Sequence, residues 1–130
     1  MKVEQIYTGC LAEAAYYIES NGEAAIIDPL REITPYLNKA VQNGAEIKYI
    51  FETHFHADFV SGHVELAERS GGEIVYGPTA VTTFKSKIAK DGEVFNIGDI
   101  TITALHTPGH TPESTTYLLK DADGNPYCIF

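Results

Sequence analysis

All five histidines of this 130-residue chain fall between His54 and His110, and four of them stand just after short apolar runs. Ile47 to Phe51 precedes Thr53-His54-Phe55-His56-Ala57-Asp58, and Ile100 to Leu105 precedes His106-Thr107-Pro108-Gly109-His110. A short apolar run bounded by turn residues reads as a buried strand. Both histidine clusters therefore sit where strands end. In layered α/β structures the loops at strand ends converge, so this pattern asks for a fold that ends two sequence-distant strands side by side.

The rest of the chain is compatible with that demand. Ala14 to Ile18 and Ala24 to Ile27 flank Ser20-Asn21-Gly22, and Asn-Gly is a strong hairpin signal because both positions tolerate positive φ. Thr34-Pro35 predicts an N-cap followed by proline at the first helical position, with Leu37, Ala40 and Val41 on one face and Gly44 as the stop. A helix over 35–43 leading into Ile47–Phe51 makes that strand the return of a crossover. Val60, Val64 and Ala67 recur at helical spacing up to Gly71-Gly72, so the first histidine loop is expected to run directly into a second helix. Glu73 to Tyr76, Val94 to Ile97, Ile100 to Leu105, Thr115 to Leu119 and Tyr127 to Phe130 read as strands, with helix or loop over 79–92. The expected class is a mixed α/β layer structure in one domain spanning 1–130.

Charge and cysteine content exclude several functions. Lys and Arg number 9 against 18 Asp and Glu, a formal charge of −9. Phosphate binding needs basic clusters that release counterions, so a nucleic-acid partner is not expected. Met1 leads into Lys2-Val3-Glu4 without an apolar core, and no run approaches the ~18 apolar residues of a membrane span, so the expected compartment is the cytoplasm. The two cysteines, Cys10 and Cys128, form no Cys-x-x-Cys pair. Both read as small buried hydrophobes, and any metal must be held by histidines and carboxylates.

One histidine by itself would be a polar loop residue or a satisfied core histidine, but the two clusters together point to a metal. His54, His56 and Asp58 can fan toward one point from a loop, or share one face of a strand. Pro108, Gly109 and Pro112 restrict and turn the backbone around His110 so that its imidazole has a fixed direction.

His54-Phe55-His56-Ala57-Asp58 resembles the His-x-His-x-Asp hallmark of the metallo-β-lactamase superfamily. The resemblance extends over most of the chain, from Ile26-Ile27-Asp28-Pro29 to Thr107-Pro108-Gly109-His110-Thr111. The longer segment Glu52 to His63 is most similar to the persulfide dioxygenases, particularly the bacterial type followed by rhodanese domains. The resemblance implies an αββα sandwich, of which this chain is expected to be the N-terminal half to two-thirds. It also implies one Fe(II) held by His54, His110 and an aspartate after a later strand, with His56 and Asp58 orienting ligands and water or serving as alternative ligands. Glyoxalase II-type zinc hydrolases carry histidine directly after the motif aspartate, for a second metal, and Phe59 stands there instead. Nothing in residues 111–130 matches the Thr-Gly-Asp-like turn that carries the expected aspartate, so that ligand is expected beyond Phe130. Asp28 is expected to be a buried carboxylate near the metal loop or a turn residue, and His63 a structural partner. His106 is expected at a strand end or beside His110. Thr53 and Thr111 are expected to cap loops, and Tyr16, Tyr17, Tyr36 and Tyr49 to lie in the core.

Three functions follow from the resemblance. The first is oxidation by O2 of a low-molecular-weight thiol persulfide, such as glutathione persulfide, to sulfite and thiol on mononuclear iron. The second is a zinc-dependent thioester hydrolase of the hydroxyacylglutathione kind, and the third is a non-catalytic fragment. A homo-oligomer is compatible with each.

Overall fold

The computed structural model of the chain describes residues 1–8 and 13–130. The element order is β1 (Lys2–Thr8), β2 (Glu13–Ser20), β3 (Glu23–Ile27), α1 (Thr34–Asn43), β4 (Glu46–Phe51), α2 (His63–Ser70), β5 (Glu73–Tyr76), β6 (Lys87–Ile88), β7 (Val94–Ile97), β8 (Ile100–His106), β9 (Thr115–Lys120) and β10 (Pro126–Ile129). Cys10 lies outside the described residues.

Two sheets stack. The first has the order β1-β2-β3-β4-β5-β6 and the second β10-β9-β8-β7. β1, β2 and β3 are antiparallel, whereas β3, β4, β5 and β6 run parallel. Asn21 (φ 48°) and Gly22 (φ 79°) make the tight turn between β2 and β3, as the Asn-Gly pair requires. Parallel neighbours need crossovers, and α1 and α2 supply them between β3, β4 and β5.

Burial follows the pleat. Ile18, Ala25, Ile27, Phe51 and Val75 on one face of the first sheet interlock with Phe95, Ile97, Ile102, Tyr117 and Leu119 of the second. On the opposite face Tyr17, Ala24, Ile26, Ile47 and Ile50 receive Tyr36, Ala40 and Leu66 from the helices. The layers are thus helix, sheet and sheet; among the described residues no helix covers the second sheet's outer face, where Thr101, Thr103 and Thr116 alternate with buried neighbours. No helix of the described residues is long and apolar enough to cross a membrane.

Several local expectations change. Thr34 lies inside α1 rather than capping it: Ile33 is the N-cap, and the Thr34 N–H and hydroxyl both donate to the Glu32 carboxylate. Helix α2 begins at His63, and Val60 is 63% exposed outside it. The buried face of α2 is set by Leu66 with Ala67 packed beside it, whereas Val64 is exposed. Residues 79–92 are irregular apart from β6. Tyr17 and Tyr36 are fully buried, with Tyr16 and Tyr49 packed against the core. Cys128 is half-buried against the same core, and burial raises its thiol pKa.

Candidate metal centre

The site is assembled at the C-terminal ends of the parallel strands. The Asp28 N–H, just beyond β3, donates to Phe51 O (2.9 Å), and the Glu52 N–H, just beyond β4, to Val75 O (3.0 Å). Asp28 holds a left-handed backbone (φ 47°) and is 9% exposed. Its carboxylate accepts the Thr53 N–H and the Thr53 hydroxyl, both at 2.8 Å, and lies 3.1 Å from His56 Nε2. Of the two expectations for Asp28, the structure selects the buried carboxylate beneath the metal loop.

The second loop is fastened to the first by backbone and buried side chains. The Thr115 N–H donates to Thr53 O (2.9 Å), the Phe55 N–H to Glu113 Oε1 (2.9 Å), and the Tyr117 hydroxyl to Glu52 O (2.9 Å). Within that loop the Thr111 hydroxyl bonds Ser114 Oγ (2.8 Å). His54 and His110 consequently face each other, ring centres 4.8 Å apart at 79°, and His56 lies 4.2 Å from His54. These three imidazoles, Glu13 and Asp58 line one cleft of about 580 Å³. Asp58 and His110 are exposed in it, and His54 is half-buried. His106 is not brought in; its ring Nε2 lies 2.8 Å from Pro112 O.

Electrostatics divides the histidines. Burial, then the neighbouring His56 charge, pushes His54 below its ordinary value, so it is neutral near pH 7. The single Thr53 hydroxyl proton goes to Asp28 Oδ2, so at 2.9 Å from His54 Nδ1 that oxygen must accept. His54 then carries its proton on Nδ1 and presents the Nε2 lone pair, the form a metal requires. Burial opposes a charge on His56, but the hydrogen bond to Asp28 and the adjacent Glu52 carboxylate outweigh it and raise the group to about 10. Asp28, Glu52 and His56 bring ligand-capable atoms within 4.8 Å of one another. Burial raises Glu13 to about 7; His56 opposes that rise, and Asp28 and Asp58 add to it.

Three carboxylates were not singled out in the sequence. Glu52 is fully buried: burial pushes its carboxyl up, and His56, His63 and Ser61 reverse that to a net lowering. His63 Nδ1 lies 3.2 Å from Glu52 Oε1, without hydrogen-bond alignment. Glu52 had one available signal, an acid directly continuing the apolar run Ile47–Phe51. Glu113 and Glu13 had none, because each acquires its place only from the packing of distant strands.

The sequence model of the metallo-β-lactamase superfamily matches residues 8–123. A metallo-β-lactamase from Staphylococcus aureus subsp. aureus COL superposes over 100% of this chain and 42% of its own, with TM-score 0.90 and 34% identity. ETHE1 from Myxococcus xanthus covers 92% of this chain and 54% of its own, with TM-score 0.82 and 26% identity. A hydroxyacylglutathione hydrolase from Rhizobium johnstonii is 38% identical over 104 residues, 77% of this chain and 40% of its own length. The chain spans about half the length of the curated relatives it matches.

Proposed function

Because the chain belongs to the metallo-β-lactamase superfamily, we propose that it is the metal-holding part of a persulfide dioxygenase. One Fe(II) is held by His54 and His110, with a carboxylate as third ligand. The observation that carries this reading is Phe59. Its ring packs on His56 with centres 4.3 Å apart, so an aromatic side chain stands where a dinuclear hydrolase would need a further donor. The likeness to ETHE1 supports the same choice.

The donor set fits an iron ion, since the fixed His54 tautomer offers Nε2 and His110 is exposed to the same cleft. When bound, the ion would bring a substrate sulfur and O2 together and polarise both. The chain's own residues supply position. Asp28 and Thr53 fix the His54 ring, Glu113 and Thr115 hold the two loops together, and Asp58 and Glu13 edge the cleft that admits the substrate. The reaction converts a thiol persulfide, one O2 and one water to the thiol and sulfite, and the carrier thiol is of the glutathione class.

A zinc-dependent thioester hydrolase is the second reading, favoured by the identity to hydroxyacylglutathione hydrolases. Anaerobic loading with Fe(II), then addition of glutathione persulfide under O2, separates the two. O2 uptake matched by sulfite supports the dioxygenase. Hydrolysis of a hydroxyacylglutathione by the zinc-loaded protein, without O2 uptake from the iron-loaded one, overturns it.

A further inference from the structure

Three described residues other than glycine hold a left-handed backbone: Asn21 in the hairpin, Asp28 beneath the metal loop, and Thr79 (φ 71°). Asparagine and aspartate tolerate that region, whereas a β-branched residue there is an outlier. Thr79 follows Pro78 in the turn Gly77-Pro78-Thr79-Ala80, which the Ala80 N–H closes by donating to Gly77 O at 3.4 Å. Proline in the second place and a positive φ in the third are the pattern of a type II turn, whose third place suits glycine. Threonine there is strained, and strain of this kind clusters where a side chain has a task. The Thr79 hydroxyl donates to Pro112 O at 3.2 Å, in the loop that carries His110.

Pro112 O receives a second donor. His106 Nε2 lies 2.8 Å from it, and because a carbonyl only accepts, that nitrogen carries the proton. The two donors come from different sheets: His106 ends β8, and Thr79 follows β5. Such a fastening matters most for His110. Thr53 and Asp28 fix the rings of His54 and His56, whereas among the described residues no hydrogen bond fixes the His110 ring, which meets His54 edge to face. The loop's backbone has to aim it. Inside the loop the Gly109 N–H donates to Thr111 O (3.2 Å) and the Thr111 N–H to Ser114 Oγ (3.0 Å), and Pro112 O, two residues from His110, ties that backbone to both sheets.

We propose that Thr79 and His106 are positioning residues that clamp the Pro112 carbonyl and so hold His110 toward His54. The inference rests on His110 as a metal ligand and is indifferent to whether the ion is iron or zinc.

Thr79→Gly separates this role from a structural one, because it relaxes the turn and removes the hydroxyl together. It is expected to melt no lower than the parent by circular dichroism, yet to bind Co(II) about tenfold more weakly in chelator competition. Thr79→Ser, which keeps the donor, is expected to bind as the parent does, and His106→Leu to bind about tenfold more weakly. A threonine with a structural role alone predicts unchanged Co(II) binding in Thr79→Gly, and that result overturns the clamp. So does a Thr79→Ser protein as weak as Thr79→Gly, or a folded His106→Leu that binds like the parent. Undiminished Co(II) binding by His110→Ala overturns the ligand assignment and the clamp together, whereas loss of binding there with no effect of Thr79→Gly overturns the clamp alone.

Discussion

Gly77→Ala adds one methyl group where the end of β5 meets the start of β9. A Cβ there would stand 1.6 Å from Thr115 Oγ1, 2.7 Å from Glu113 O and 2.8 Å from Thr115 Cβ, all well inside ordinary contact. The Thr115 hydroxyl can rotate away only by giving up its bond to Glu113 O (2.9 Å), and the carbonyl moves only with the backbone of the second histidine loop. Overpacking of this sort costs ~1–3 kcal/mol, and a backbone obstacle puts this case at the upper end. For a chain of this size that lowers Tm by roughly 10 °C. The displaced strand also carries Thr115, bonded to Thr53, and Glu113, bonded to Phe55, so His110 and His54 move apart and metal affinity falls together with stability. Thermal unfolding followed by circular dichroism, with chelator competition for Co(II), checks both. Gly109→Ala is the control, since a Cβ there meets nothing within 4 Å. A Gly77→Ala protein that melts within about 2 °C of the parent and binds Co(II) equally well would refute the claim that this contact sets the spacing of the loops.

Two further perturbations probe the same site. In the metal-free protein His56 is raised from 6.5 to about 10, so the stability it confers through Asp28 and Glu52 is complete below pH 6.5 and is lost as the pH climbs through about 10. The loss is on the order of a few kcal/mol, and urea midpoints measured across that range should decline in the parent and stay flat in His56→Gln; a flat parent refutes it. Thr53→Val removes the oxygen that accepts from His54 Nδ1. Metal affinity should weaken by about 10–100-fold while the fold persists, and unchanged affinity in a chelator titration would sink the tautomer argument.

The elements legible in the sequence were those specified by local chemistry. Asn21-Gly22 declared the hairpin, Gly44 stopped α1 where expected, and two apolar runs placed His54 and His110 at strand ends that meet. Errors came where a neighbour, local or tertiary, overrules the pattern at a single position. Glu32 takes the Thr34 groups that would have capped α1, and Gly62, where a Cβ would meet Leu30 O at 2.3 Å, delays α2 beyond Val60. The buried acids were harder still. An isolated Glu at position 52 or 113 reads as a solvated charge, and only the arrival of His56, His63 or the Phe55 N–H makes its burial tolerable. Site histidines are visible because their spacing is local; the carboxylates that govern them are not, because their spacing is three-dimensional.

The left-handed backbone at Asp28 limits what mutation can explore there. Most side chains are strained at that φ, glycine is relaxed but carries no carboxylate, and asparagine fits the backbone but brings no charge for His56. Glutamate would keep the charge and lose both the backbone fit and the reach. Of the common residues, only aspartate meets all three demands at once. Position 28 is therefore closed to gradual change: each single step away from it removes either the backbone conformation or the loop's anchor, and a neutral drift through this position has no path.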